Sequence, residues 1–148
     1  MTAIAPLESA DRARWTQMWS AYQRFYQVEI PDDVTDATWE RMQWGRVHGL
    51  GARDSTGRLI GFVHYLFHED TWSKEPACYL QDLYVDPEFR GTGCGRELIQ
   101  AVARAASSAG ANSPYWLTHE TNALARRLYD RLAKNHGFIQ YVYVDASR

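Results

Sequence analysis

The middle of the chain carries the run Tyr79-Leu80-Gln81-Asp82-Leu83-Tyr84-Val85-Asp86-Pro87-Glu88-Phe89-Arg90-Gly91-Thr92-Gly93-Cys94-Gly95. The apolar stretch Cys78–Val85 predicts a strand, and Asp86-Pro87 ends it because proline cannot donate to a strand ladder. After the glycines, Arg96–Ala109 has the spacing of an amphipathic helix, which Gly110 closes. Glycines let a backbone approach a ligand, and the first amides of a helix have no intrahelical partner. Strand, glycine-rich turn and helix in this order therefore predict an anion-binding turn, of the kind that holds phosphate.

Two well-known phosphate loops do not fit this turn. It is no Walker loop, because no Gly-Lys-Ser/Thr follows the glycines. A dinucleotide-binding fingerprint is also disfavoured, since the glycine spacing differs and no acidic residue ends a following strand at the expected distance. Arg90 and Arg96 flank the turn and could add charge-assisted contacts to the anion.

Periodicity along the rest of the chain predicts alternating helices and strands. Helices are expected at Glu8–Gln27, from Thr35 or Asp36 to Trp44, and at Asn122–Asn135; strands are expected at Gly49–Arg53, Leu59–Phe67, Tyr115–Thr118 and Phe138–Val144. The first two strands flank the turn residues Asp54–Gly57 and form a hairpin. This order predicts an α/β fold with a mixed, mostly antiparallel sheet and about four helices.

Composition narrows the functional classes. A length of 148 residues fits a single domain over residues 1–148. The net charge is −2, and Lys74 and Lys134 are the only lysines, so a nucleic-acid surface is not expected. The amino terminus has no signal-peptide pattern, and no apolar run is long enough to span a bilayer. Cys78 and Cys94 lie far apart without histidines at metal spacing, so we expect reduced thiols, no metal, and a cytoplasmic protein.

The quoted run resembles the acetyl-CoA motif of the GNAT superfamily of N-acetyltransferases. The core of that motif is Arg/Gln-x-x-Gly-x-Gly/Ala, which Arg90, Gly93 and Gly95 meet. A second stretch, Asn122-Ala123-Leu124-Ala125-Arg126-Arg127-Leu128-Tyr129 followed by Gly137-Phe138, resembles the superfamily's other motif. Within the superfamily, the strand Tyr79–Val85 is similar to the branch of polyamine, histone-tail and amino-acid acetyltransferases.

This resemblance implies direct transfer of an acetyl group from acetyl-CoA to a primary amine. It makes Tyr129 the proton donor to the coenzyme A sulfur and Asn122 a cofactor contact. The two residues are seven apart and so share a helix face. The remaining cofactor contacts implied are Leu83, Tyr84, Val85, Arg90, Gly91, Thr92, Gly93, Cys94, Gly95 and Arg96.

The general base is left open by the sequence. Related sequences tend to carry glutamate where this chain has Gln81, and glutamine cannot accept a proton. Asp82 is adjacent, but neighbouring strand residues face opposite sides of a sheet unless the strand is bulged. Other candidates are His64, His68, His119 and Glu120.

The resemblance places the amine-binding pocket near the first two helices, where Tyr26, Glu29 and Gln81 are the expected substrate contacts. Acidic residues around Asp32 and Asp33 would suit a cationic polyamine, amino acid or lysine-like side chain. Trp15, Trp19, Trp39 and Trp44 are expected in the core rather than around the substrate. An alternative function is an acyl-CoA sensor without turnover, since Gln81 replaces a base. A third is a subunit that assembles through the strand Phe138–Val144, and a homodimer is expected.

Overall fold

Four antiparallel strands form the sheet in the order β1-β2-β3-β4. Their bounds are Ala3–Pro6 for β1, His48–Arg53 for β2, Leu59–His68 for β3 and Ala77–Val85 for β4. The predicted hairpin is confirmed, because β2 and β3 pair across the turn at Asp54–Gly57. Strand β1 was not predicted, since its four residues are too short to show an alternating pattern.

Four helices accompany the sheet: α1 at Arg12–Phe25, α2 at Asp32–Gln43, α3 at Cys94–Ser108 and α4 at Ala123–Leu132. Helix α2 begins earlier than predicted. Pro31 is its N-cap, and Asp32 and Asp33 lie in the first turn, where a carboxylate is stabilised by the helix dipole. Pro31, Asp32 and Asp33 therefore start the helix.

This computed structural model describes residues 2–145. The chain divides into two compact units, residues 1–117 and residues 118–148. The first unit holds the sheet and α1 to α3, and the second holds α4. The predicted class, a mostly antiparallel sheet with four helices, is confirmed. Its only parallel pairing within the described residues is a bridge between Tyr79 and Tyr115.

Helices α1 and α3 pack on opposite faces of the sheet. Phe62 on β3 contacts the ring of Trp19 on α1. Its neighbour Gly61 faces Leu98 and Cys94 of α3. Successive strand residues point to opposite faces, so α1 and α3 must lie on different sides. The α1 side is built from a buried cluster of large side chains: Leu7, Trp15, Met18, Trp19, Trp39, Leu59, Phe62 and Tyr84.

Three expectations differ from the structure. No strand forms over 138–144 in the described residues, and Phe138, Tyr141 and Tyr143 are almost fully exposed. An alternating pattern becomes a strand only when a partner strand supplies hydrogen bonds, and none pairs there. The strand predicted at Tyr115–Thr118 is reduced to the single bridge at Tyr115. Trp44 follows the last turn of α2 and is 66% exposed, so it is not part of the core.

Candidate active site

Strand β4 is bulged at Gln81. Leu80 lies opposite Tyr65 and Asp82 lies opposite His64, so Gln81 has no partner on β3. A bulge of one extra residue turns the following side chains to the other face. Gln81 and Asp82 consequently line one cavity on the α1 side of the sheet. The condition under which Asp82 could enter the site is met.

His64 connects the core to Asp82. The indole Nε1–H of Trp15 donates to His64 Nε2 at 3.0 Å. An indole nitrogen can only donate, so Nε2 must be the acceptor and the ring proton lies on Nδ1. His64 Nδ1 then donates to Asp82 Oδ2 at 2.9 Å. Both ring nitrogens are occupied in a side chain that is almost fully buried, and His64 therefore has no lone pair left to act as the base.

Tyr22 on α1 is the second partner of Asp82. Its hydroxyl lies close to Asp82, and burial, followed by the charge of Asp82, raises the pKa of that hydroxyl far above its ordinary value. Tyr22 therefore stays protonated beside the carboxylate. A carboxylate has about four lone-pair directions, and His64 uses one of them. Asp82 keeps the capacity to receive an ammonium group or a proton.

The other candidates for the general base are not among the residues that line this cavity. His68 is exposed, with Nδ1 2.8 Å from the Glu69 carbonyl and Nε2 2.7 Å from the Tyr115 hydroxyl, and it does not line the cavity. His119 and Glu120 belong to the second unit. Within residues 2–117, Asp82 is the carboxylate that faces the cavity.

The Trp15–His64 hydrogen bond predicts a stability effect. Trp15→Phe removes the donor and leaves the buried Nε2 unsatisfied, in addition to shrinking a fully buried ring. We expect the free energy of unfolding to fall by about 2–4 kcal/mol. Urea unfolding measures this, with Trp72→Phe at a fully exposed position as the control. A loss below about 0.5 kcal/mol for Trp15→Phe would contradict the hydrogen bond.

The cavity between α1, α2 and the bulge has a volume of about 500 Å³. Rings and aliphatic side chains make most of its wall, among them Trp19, Tyr22, Tyr26, Val28, Ile30 and Val34. Of the predicted substrate contacts, Tyr26 and Gln81 line it, whereas Glu29 lies on the exposed loop before α2 and does not. Trp19 is buried and yet forms part of the wall, so it serves both the core and the cavity.

The glycine-rich turn has the backbone that the sequence predicts. Gly91 and Gly93 have φ angles of 79° and 91°, and Gly93 is the N-cap of α3. A Cβ at either position would meet no atom within 4 Å, so it is the left-handed backbone that requires glycine here. In the described structure, no hydrogen bond uses an amide from Gly91 to Arg96 as donor. Six amides at the start of a helix therefore suit the pyrophosphate of a nucleotide.

The outer edge of β4 supplies further backbone groups. The Asp86 amide donates to Ile60 on β3, so by alternation the amides of Leu83 and Val85 point away from β3. The Leu80 amide reaches Tyr115, but beyond that point no strand of residues 2–117 pairs with this edge. Arg90 Nε donates to the Val85 carbonyl at 3.1 Å, and its guanidinium lies over the buried ring of Tyr84. The edge and the turn thus form one continuous run of polar backbone.

The second unit carries the other predicted residues. Asn122 is the N-cap of α4, and Tyr129 lies two turns later on the same helix. Both side chains are partly buried. Their roles as cofactor contact and proton donor stay predictions.

Cysteine and metal chemistry find no support around the site. Cys78 and Cys94 are buried free thiols, and burial raises the pKa of each to about 11. The Cys94 side chain is buried with its Sγ toward Gly61 of β3, so any ligand contact there must come from its amide. Between residues 2 and 145, no group of three His, Cys, Asp or Glu side chains is placed to hold a metal ion. Over the same residues, the helices are all too short or too polar to traverse a bilayer.

Comparison with known sequences gives relatives of one kind. The chain is 35% identical over 136 residues to the D-amino-acid N-acetyltransferase HPA3 of Saccharomyces cerevisiae, which covers 88% of this chain and 83% of that enzyme. It is 36% identical over 74 residues to the thialysine N-epsilon-acetyltransferase of Bos taurus, a match that spans 50% of this chain but only 43% of that enzyme. No support for the sensor hypothesis comes from these enzymes.

Solved structures agree on the fold. A ribosomal-protein-alanine N-acetyltransferase from Brucella melitensis biovar Abortus 2308 superposes with a TM-score of 0.82 at 23% identity, covering 98% of this chain and 99% of that one. The enzyme AAC(6')-Iy, in complex with a bisubstrate analogue of coenzyme A, superposes with a TM-score of 0.84 at 19% identity, covering 99% of both chains.

The family model described as acetyltransferase (GNAT) matches residues 15–133, which include the bulged strand, the glycine-rich turn and α4. Enzymes of this family are acyltransferases that use acetyl-CoA as cosubstrate, and the amides at the start of α3 suit its pyrophosphate. This match, together with the match to the yeast D-amino-acid N-acetyltransferase over most of the chain, shows that the chain belongs to the GNAT acetyltransferase family.

Proposed function

We propose that the chain acetylates a primary amine of a small molecule or peptide, such as an amino acid, a polyamine or a lysine-like compound, inside the cavity beside Asp82. The observation that carries this proposal is the bulge, which places one carboxylate on the wall of a mostly aromatic and aliphatic cavity. A carboxylate among rings suits an ammonium group, which gains both a charge partner and cation–π contacts. The D-amino-acid and thialysine N-acetyltransferases among the relatives act on amines of this kind.

Each part of the first unit has a role in this scheme. Bound acetyl-CoA would supply a thioester whose carbonyl carbon accepts the amine. Amides from Gly91 to Arg96 hold its pyrophosphate, with Arg90 and Arg96 beside them. The outward backbone groups of Leu83 and Val85 pair with the pantetheine arm, and Tyr84 keeps this edge in place from the core.

Proton transfer is divided between two side chains. Asp82 receives the ammonium group and takes a proton from it, directly or through water, so that a neutral nitrogen can attack. The carbon–nitrogen bond forms as the carbon–sulfur bond breaks, and the sulfur leaves with the electron pair. Tyr129 supplies the proton that the sulfur needs, and Asn122 contacts the cofactor from the same helix face.

Thiol release tests the activity. The purified chain is incubated with acetyl-CoA and a panel of amino acids, polyamines and lysine peptides, and free coenzyme A is measured with a thiol reagent. We expect release well above the hydrolysis background for at least one amine, with an N-acetylated product of matching mass. Tight acetyl-CoA binding without release for any amine would favour the sensor hypothesis instead.

Cofactor binding depends on the left-handed turn. We expect Gly93→Val to weaken coenzyme A binding at least about tenfold, because a β-branched residue at φ 91° is strained by about 1–2 kcal/mol and the turn must change shape. Isothermal titration calorimetry measures the affinity. Gly57→Val is the matched control, since Gly57 has φ 87°, is equally open and lies in the β2–β3 hairpin. Equal loss of affinity in both variants would argue against the turn as the pyrophosphate site.

The proposed setting is a cytoplasmic homodimer that binds neither nucleic acid nor membrane. Two buried free thiols are compatible with a reducing compartment. Exposed apolar side chains at Phe138, Ile139, Tyr141 and Val142 favour self-association. Sedimentation at several concentrations tests the dimer, and a strict monomer would remove both it and assembly through Phe138–Val144.

A further inference from the structure

The cavity beside Asp82 is lined by two ionised side chains of opposite sign, Arg41 and Asp82. Arg41 lies in the last turn of α2, and Asp82 lies at the bulge of β4. His64 also borders the cavity, but it is held as a neutral ring between Trp15 and Asp82. The ligand therefore meets one positive and one negative group in a wall that is otherwise mostly apolar.

The two charges differ in how well they are already satisfied. Asp82 accepts a hydrogen bond from His64 and lies close to the Tyr22 hydroxyl. The guanidinium of Arg41 makes no hydrogen bond or ion pair with any residue from 2 to 145, and this exposed residue lines the cavity. Arginine carries five N–H donors in a fork that matches a carboxylate. An unpaired guanidinium at a ligand cavity points to an anionic group on the ligand.

We propose that the acceptor substrate is an amino acid with a free carboxylate, which Arg41 receives while Asp82 receives the amine. This inference rests on the proposed function and narrows it to one of the substrate classes named there. A polyamine fits less well. Its first ammonium would pair with Asp82, but its next would enter a cavity whose remaining charge is positive.

Matched acceptor pairs that differ only in the carboxylate test the proposal. Lysine is compared with cadaverine and phenylalanine with phenethylamine, and spermidine is included as a polyamine; thiol release gives kcat and KM for each. We expect wild-type protein to favour the carboxylate-bearing member of at least one pair by tenfold or more in kcat/KM. For Arg41→Gln we expect that preference to fall to near unity, through a rise in KM for the amino acid of about ten- to a hundredfold.

Two further variants sharpen the result. Arg41→Lys keeps the positive charge but loses the paired N–H donors of the guanidinium. Part of the preference for the carboxylate-bearing amine should therefore remain. Arg46→Gln removes an equal charge just beyond the end of α2 at a residue that does not line the cavity, and should leave every rate unchanged. If the wild type favours the decarboxylated amines, or if Arg41→Gln affects both members of a pair equally, the inference fails while the acetyltransferase function stands. If no amine releases thiol, the proposed function fails, and this inference with it.

Discussion

Asp82→Asn lowers kcat/KM for amine acetylation by about a hundred- to ten-thousandfold in our expectation, because asparagine keeps the shape of the side chain but cannot take a proton. The amide oxygen can still accept from His64 Nδ1, which limits structural damage. In the wild type, kcat/KM should rise with increasing pH across the acidic range as the base loses its proton. In Asp82→Asn this rise should be absent. Steady-state kinetics across pH, with coenzyme A affinity measured in parallel, check these expectations.

The control for Asp82→Asn is Glu40→Gln, which removes one negative charge from α2 at an exposed residue that does not line the cavity. We expect this variant to match the wild type in rate and pH profile. If kcat/KM of Asp82→Asn stays within about threefold of the wild-type value and still rises with pH across the acidic range, then Asp82 is not the proton acceptor. In that case water or the substrate's own equilibrium must supply the neutral amine.

Tyr129→Phe is expected to lower kcat by about ten- to ten-thousandfold with little change in coenzyme A affinity, because phenylalanine keeps the ring but has no proton to give to the sulfur. The pH dependence distinguishes this role from a structural one, since loss of the general acid should abolish the fall of kcat at alkaline pH. Tyr141→Phe, at an almost fully exposed tyrosine of the same unit, is the control and should be silent. An unchanged pH–rate profile for Tyr129→Phe would remove the assignment.

Much of the fold followed from local patterns. The bounds of five elements were predicted to within a few residues: β2, β3, β4, α1 and α3. Hydrophobic periodicity, and the glycine and proline residues that end an element, are properties of neighbouring residues. The misses have a common cause. Strand β1 exists because Leu50 to Arg53 offers it an edge, and Phe138–Val144 forms no strand because no described segment pairs with it. Pairing is a long-range property that a single segment does not encode.

The candidate site divides in the same way. Arg90, Gly91, Gly93 and the start of α3 could be identified from the sequence, because a phosphate-binding turn is built from consecutive residues whose backbone requirements are visible one by one. Family membership followed from those residues together with the stretch from Asn122 to Tyr129. Neither depends on how distant parts of the chain pack.

Only the tertiary structure decided which groups line the cavity. Whether Asp82 reaches the cavity depends on a bulge, and the bulge is a mismatch in register between two strands rather than a property of either one. The tautomer of His64 depends on Trp15, 49 residues earlier, and the charge opposite Asp82 comes from Arg41 on another helix. The sequence by itself determined the glycine-rich turn and the family, since both are local. Folding determined which carboxylate and which cation line the cavity, since these come from residues that only packing brings together.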